Sequence, residues 1–250
     1  MRYFIEVAYD GAAFHGSQVQ GNIPTVQGAL NNALSTLMRR PVETFGASRT
    51  DEGVHALSNF YHIDIEETIM PQLKYKLNAI LPPSLGVKAI YQPSDPGANA
   101  RFDAVGRRYR YRIYQQKNPF LFQRGLYYPY KINLGILQQT AAVLQDYTDF
   151  EAFSKRNTQS FTFNCSIKEA YWLETEHEVQ FVVAANRFLR GMVRGLVGTQ
   201  LQMARGKGDV AAFRQIIEGK DCTKADFSVA GHGLYLEAVD YPKDYMVQVQ

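Results

Sequence analysis

The chain of 250 residues holds only two cysteines and one tryptophan. Cys165 and Cys222 stand far apart and form no CxxC pair, which argues against a disulfide scaffold and a thiolate zinc site and favours a reducing, cytoplasmic compartment. An excess of one charge is also missing: 27 basic side chains face 24 acidic ones, a net of +3, too little to announce a nucleic-acid binder by its sum. The opening MRYFIEVAYDG carries charge within its first ten residues, so it reads as neither signal peptide nor membrane span, and a soluble protein is expected. Gly206-Lys207-Gly208 lacks the spacing of a phosphate loop. There is no repeat and no low-complexity tract.

What is there is a concentrated charge pattern. Residues 101 to 112, RFDAVGRRYRYR, set Arg101, Arg107, Arg108, Arg110 and Arg112 against Asp103, a local +4 that leaves the rest of the chain near −1. Tyr109, Tyr111 and Tyr114 are interleaved with these arginines, in a chain of 16 tyrosines and 15 phenylalanines. The length allows one large domain or two small ones, and a boundary near 105–130 divides it into residues 1–105 and 106–250.

Period-2 alternation marks a first strand ending at Asp10-Gly11. Thr25 is a plausible N-cap for an amphipathic helix over 25–39, with Val26, Leu30, Leu34, Leu37 and Met38 at helical spacing. A short strand near 42–47, a polar turn at 48–54 and a strand from His55 to Ile65 follow. Pro71 suits a helix start for 71–80, stopped at Leu81-Pro82-Pro83. Strands are expected near 86–92, 106–115, 164–174 and 178–185, with helices at 133–146, 186–204 and about 209–218, and GLYLEAVDY as a last strand. Strands that follow strands point to an α+β fold, a mostly antiparallel sheet with helices against one face.

Three stretches could carry chemistry. GASRTDEGVHA, residues 46 to 56, places Arg49, Thr50, Asp51 and Glu52 between two strands. It is a plain polar turn, or a site where Arg49 pairs with Asp51, keeps it ionised and orients it as a nucleophile or base. Along 186–204, helical spacing gathers Arg187, Arg190 and Arg194 in one stripe flanked by Gly191, Gly195 and Gly198; a solvated face, helix packing and phosphate contact all fit. In a strand over 107–114, Arg107, Tyr109, Tyr111 and Ile113 share one face and Arg108, Arg110 and Arg112 the other. That suits base stacking beside phosphates, or tyrosines in a core. His55, His62 and Asp64 lie on one strand, but His55 and His62 are seven positions apart and face opposite ways, which breaks a joint metal shell.

AYDGAAFHGSQVQ with TVQGAL, SRTDEGVHA, LNAILP, ARFDAVGRRYRY, NRFLRGMVRGLVG and GHGLYLEAVDYP resemble, in this order and over nearly the whole chain, the bacterial tRNA pseudouridine synthase A family. The resemblance implies a pseudouridine synthase-like fold, with two similar α/β halves around a central basic cleft. It implies a cytoplasmic homodimer that isomerises uridines 38, 39 and 40 of the tRNA anticodon stem-loop, without metal or organic cofactor. By the same resemblance Asp51 is the nucleophile, Arg49 its ion-pair partner and Tyr109 the ring that stacks on a flipped base, while Arg194 and Leu234 complete the wall. Three positions depart from the family pattern: Ser17 stands where tryptophan is usual, Ser48 where glycine is usual before Arg-Thr-Asp, and Glu52 where alanine is usual after it. Adjacent side chains on a turn are expected to diverge, so Glu52 need not meet Asp51. The competing readings are an RNA-binding protein without chemistry, and a metal-dependent phosphodiesterase using Asp51, His55 and His62.

Overall fold

The computed structural model describes residues 1–66, 68–156 and 162–250. They form two compact units, one of Met1–Val105 with Tyr235–Gln250 and one of Gly106–Leu234.

The first unit opens with β1 (Arg2–Tyr9) and α1 (Val26–Met38). Thr25 caps α1 as its sequence suggests, its hydroxyl accepting from the Gly28 N–H at 3.2 Å, and Val26, Leu30, Ala33 and Leu34 form the buried stripe. The short β2 (Phe45–Gly46) and the long β3 (His55–Asp64) flank the polar turn. α2 (Leu73–Ile80) begins two residues later than Pro71 suggests, because Gln72 takes a left-handed conformation (φ 59°) and cannot be part of the helix. Its end agrees: Leu81 is extended, as the residue before a proline must be. β4 (Leu85–Pro93) follows.

The second unit contains β5 (Gly106–Tyr114), the short β6 (Leu126–Tyr127), α3 (Leu134–Val143), β7 (Ile167–Glu174), β8 (Val179–Ala185), α4 (Met192–Gln202) and α5 (Val210–Glu218). α3 is capped by Asn133 and α5 by Asp209. The chain then returns to the first unit through β9 (Leu234–Asp240), and β10 (Met246–Gln248) adds an edge strand. Sequence order grouped β9 with the C-terminal half; from Tyr235 onward its contacts lie with residues 1–105.

In the first unit the strand order is β10-β4-β1-β3-β9, with β2 on β3; in the second it is β5-β8-β7, with β6 on β5. The pairs within each unit are antiparallel except β3–β9 and β5–β6. The arrangement is α+β with mostly antiparallel strands, as the strand-after-strand order implies.

One expectation needs refinement. β1 is buried from Tyr3 to Val7, on both faces and not one. Its register sets Phe4 opposite His62 and Tyr91, and Glu6 opposite Phe60, so these residues share a face. Tyr241 and Tyr245, just past β9, cover that face edge-on to Phe4 at 5.6 and 6.0 Å. The helices pair elsewhere in the unit, α1 with α2 and α2 with β4.

Inside this aromatic layer lies a carboxylate, Glu6, which is 8% exposed. Burial would raise its pKa, but hydrogen bonds from Lys88 (2.8 Å), Ser58 (2.8 Å) and Tyr91 (2.9 Å) outweigh that and hold it below its ordinary 4.5. A carboxyl whose folded pKa is depressed contributes stability that is present above the unfolded value and lost as pH falls through the folded one. The urea midpoint is therefore expected to decline as pH drops below about 4.5. Glu6→Gln should cost roughly 1–3 kcal/mol at neutral pH and flatten that acid limb. An unchanged acid limb in the variant would assign the decline to other carboxylates.

Candidate functional site

The Arg49-Thr50-Asp51 turn is held from behind by side chains of three other segments. Thr50 is buried. Its N–H donates to Ser17 Oγ at 2.8 Å, and its carbonyl accepts from the Ser17 N–H at 3.0 Å. The Thr50 hydroxyl lies 2.9 Å from Tyr9 Oη, and Asn59 Nδ2 donates both to Tyr9 Oη (3.3 Å) and to the Ser48 carbonyl (3.0 Å). Burial pushes the Tyr9 hydroxyl up to about 12, so it stays protonated and keeps a donor in this network. On the far side of Asp51, the Val54 N–H closes a turn onto the Asp51 carbonyl at 3.2 Å, with Gly53 in the left-handed region at φ 77°. A side chain at Gly53 would strain that turn.

Asp51 is thus the half-exposed end of a clamped backbone, and Arg49 beside it is exposed. Glu52 turns to His15, its carboxylate 3.1 Å from His15 Nδ1 with both side chains exposed. Arg49 also lines a pocket of about 160 Å³. A larger depression of about 450 Å³ beside Tyr75 and Gln250 contains none of the expected site residues.

Tyr109, Arg194 and Leu234 belong to the second unit. β5 has the parity expected of it: Tyr109, Tyr111 and Ile113 are buried, and Arg108, Arg110 and Arg112 are half-exposed on the other face. Tyr111 is a core residue, fully buried with its hydroxyl on the Ala230 carbonyl at 2.7 Å. Tyr109 is 8% exposed and meets Phe188 edge-to-face at 5.0 Å. The arginines of the other face are less of a basic patch than their charge suggests. Arg108 forms an ion pair with Glu169, Arg112 with Glu178, and Arg110 donates to Gln180 at 2.5 Å. Glu169 on β7 and Glu178 just ahead of β8 thus offset two of the five positive charges in this stretch.

The arginine stripe is corrected in the same way. The helix begins at Met192, not 186, because Gly191 sits at φ 75° and breaks the helical spacing before it. Arg187 and Arg190 therefore precede the helix and share no stripe with Arg194. Arg194, in the first turn, donates through Nε to the Val229 carbonyl at 2.8 Å and through Nη2 to the Phe227 carbonyl at 3.3 Å. The glycines serve packing: a Cβ at Gly198 would stand 2.2 Å from the Asp226 carbonyl oxygen, and one at Gly195 2.7 Å from the Phe227 ring. α4 ends in a π-helical turn over Met203–Lys207. Leu234 is buried directly after the tight turn Gly231–Gly233.

The two histidines have other work. His55 Nδ1 accepts from the Gly11 N–H at 3.1 Å beside the Asp10 carboxylate, and its ring stacks on Tyr235 at 4.5 Å. His62 Nδ1 accepts from the Ala100 N–H at 3.2 Å while the ring stacks on Phe45; burial lowers its pKa, with Arg2 adding to the effect. His62, accepting the Ala100 N–H through Nδ1, is thereby set as the neutral imidazole with its proton on Nε2. Among the described residues no group of three or more His, Cys, Asp or Glu side chains converges as a metal shell.

Sequence reasoning overlooked Tyr9 and Asn59, the polar residues behind the turn. A signal existed in Asn59, a residue type depleted in strands yet set in the middle of β3.

A family described as tRNA pseudouridine synthase matches residues 147–242. The tRNA pseudouridine synthase A of Parabacteroides distasonis is 43% identical over 245 residues, covering 97% of both chains. That of Bacteroides thetaiotaomicron is 43% identical over 253 residues, 97% of this chain and 91% of its own. That of Staphylococcus aureus is 32% identical over 242 residues, 96% and 90%.

The Ser17 clamp makes a stability prediction. Ser17→Ala removes the acceptor of the buried Thr50 N–H while leaving the backbone bond in place, and should cost about 1–3 kcal/mol in a urea titration. A midpoint equal to wild type would show that another acceptor takes over.

Proposed function

The chain belongs to the tRNA pseudouridine synthase A family and is an isomerase acting on tRNA, and from that premise we propose that it converts uridines 38, 39 and 40 of the anticodon stem-loop to pseudouridine, with Asp51 as nucleophile and the target base flipped from its stack. The observation that supports the assignment of Asp51 is the clamped turn: both peptide groups of Thr50 are satisfied by Ser17, so the residue that follows is presented by a backbone with little freedom. Fixed geometry is what a group needs if it is to meet a reacting atom without first being ordered.

Uridine and pseudouridine are isomers, so the reaction calls for no electron carrier. The N1–C1′ bond breaks, the uracil rotates, and C5 bonds to C1′ in its place while the C5 proton leaves and N1 gains one. Addition of the carboxylate to the sugar, its addition to the base ring and its removal of a ribose proton all require an ionised Asp51, with Arg49 as the cation that orients it. A base inside a helix exposes none of these atoms, which is the reason for flipping. Tyr109 then stacks on the extruded uracil, Leu234 excludes water and Arg194 fixes the wall. The reading includes a cytoplasmic homodimer working without metal or organic cofactor.

Asp51→Asn is expected to abolish pseudouridine formation while tRNA affinity stays within a few-fold, since the amide keeps the shape and loses the nucleophile. Mass mapping of pseudouridine in tRNA, run beside a binding titration, reads both. Substantial turnover by the variant would remove Asp51 from the role.

The parity of β5 separates stacking from charge. Tyr109→Ala should slow single-turnover formation at saturating enzyme far more than Arg110→Ala, because stacking on a base is worth roughly 1–3 kcal/mol and Arg110 is committed to Gln180 on the opposite face. Tyr109→Phe keeps the ring and should fall between the two. Were Arg110→Ala the slower enzyme, Tyr109 would lose its assignment.

A further inference from the structure

The pocket of about 160 Å³ in the first unit shares Arg49 with the catalytic assignment, but its aromatic wall and Ser48 are not used by it. Its walls include Phe45, Ser48, Arg49, Asn99, Arg101 and Phe102, and Asp51 is not among them. Ser48 is 8% exposed, and among the described residues its Oγ is the buried side-chain oxygen without a hydrogen-bond partner. A buried hydroxyl left this way costs free energy. Phe45 and Phe102 are 48% and 76% exposed. Phe45 rests on His62 with ring centroids 5.1 Å apart. Phe102 and Arg101 are held in place through their backbones, whose N–H groups both donate to Asn99 Oδ1, at 3.3 and 2.9 Å. The Arg101 guanidinium stands 5.5 Å from the Phe102 ring centre.

We propose that this pocket binds one further nucleotide of the tRNA, distinct from the uridine being isomerised: its base lies against the exposed phenylalanine rings, its phosphate meets Arg101, and the Ser48 hydroxyl bonds the edge of its base. Aromatic rings with a guanidinium group at the rim match an unstacked base carrying a phosphate. A purely apolar ligand would leave Arg101 and the hydroxyl unused, and a phosphate alone would leave the rings unused. The proposal rests on the reading of the chain as a tRNA-modifying enzyme.

Unmodified tRNA transcript and the full chain test it. Ser48→Ala should weaken tRNA binding about two- to tenfold, the range of one lost hydrogen bond, while its urea midpoint stays at or above that of wild type. Phe102→Ala should weaken binding by about tenfold or more. Both variants should retain the wild-type pseudouridine rate at saturating enzyme. With 4-thiouridine placed singly in the transcript, the crosslink to the Phe102 peptide should come from a nucleotide other than the isomerised one. Wild-type affinity in both variants would overturn the proposal, as would a crosslink from the target uridine itself. A lower midpoint for Ser48→Ala would make the hydroxyl structural and overturn its part. Loss of uridine 5′-monophosphate binding in the variants with unchanged tRNA affinity would make this a free-nucleotide site and overturn the assignment to tRNA. Failure of the wild-type chain to form pseudouridine at all would instead sink the functional reading on which the proposal stands.

Discussion

Two hydrogen bonds between Ser17 and Thr50 carry the arrangement around Asp51. A surface turn would ordinarily satisfy its peptide groups with water and sample several conformations. Here the Thr50 N–H and carbonyl are both taken by one residue of a distant loop, and the Thr50 hydroxyl is held by Tyr9 from β1. Asn59 ties the Ser48 carbonyl to the same tyrosine. The strands β1 and β3 are paired side by side, so the network stands on a rigid support. Asp51 inherits its position from residues that carry no charge.

Neighbouring residues relate to this network in different ways. Ser17 is small, and its side chain turns inward to cap a peptide N–H. Glu52 brings a second carboxylate next to Asp51 in sequence, but on a tight turn consecutive side chains diverge, and Glu52 ends beside His15. Ser48 differs in kind: its hydroxyl meets no protein partner among the described residues, so the fold gives it no reason to be there.

Much of the fold could be read from periodicity because the periodic segments are those whose burial is one-sided or strongly capped. Thr25, Asn133 and Asp209 each accept from the backbone N–H three residues on, the local interaction that makes such residues recognisable as helix starts. Reading failed where one residue's backbone angle overrode the pattern. Gln72 and Gly191, both left-handed, delay α2 and α4, and nothing in hydrophobic spacing reports a positive φ. It failed also at β1, where alternation suggested one buried face, because the aromatic residues that bury the second face come from beyond β9, more than two hundred positions away. The turn with Asp51 could be found as a motif, but its support could not, since Ser17, Tyr9 and Asn59 converge only through strand pairing.

Charge shows the same distance between pattern and structure. Five arginines in twelve residues look like a phosphate track, yet strand geometry sends Arg108, Arg110 and Arg112 to the face where Glu169, Gln180 and Glu178 wait opposite them. A cation already paired at close range presents little field to a polyanion, and its contribution to binding is reduced by the cost of breaking that pair. Arg194 is spent likewise on the carbonyls of Phe227 and Val229. Exposed cations outside the regular elements include Arg49 on the turn and Arg190 ahead of α4. On β5 the strand sets Arg108, Arg110 and Arg112 each against a neighbour, so the charge an enzyme needs to hold a phosphate backbone has to come from elsewhere in the chain.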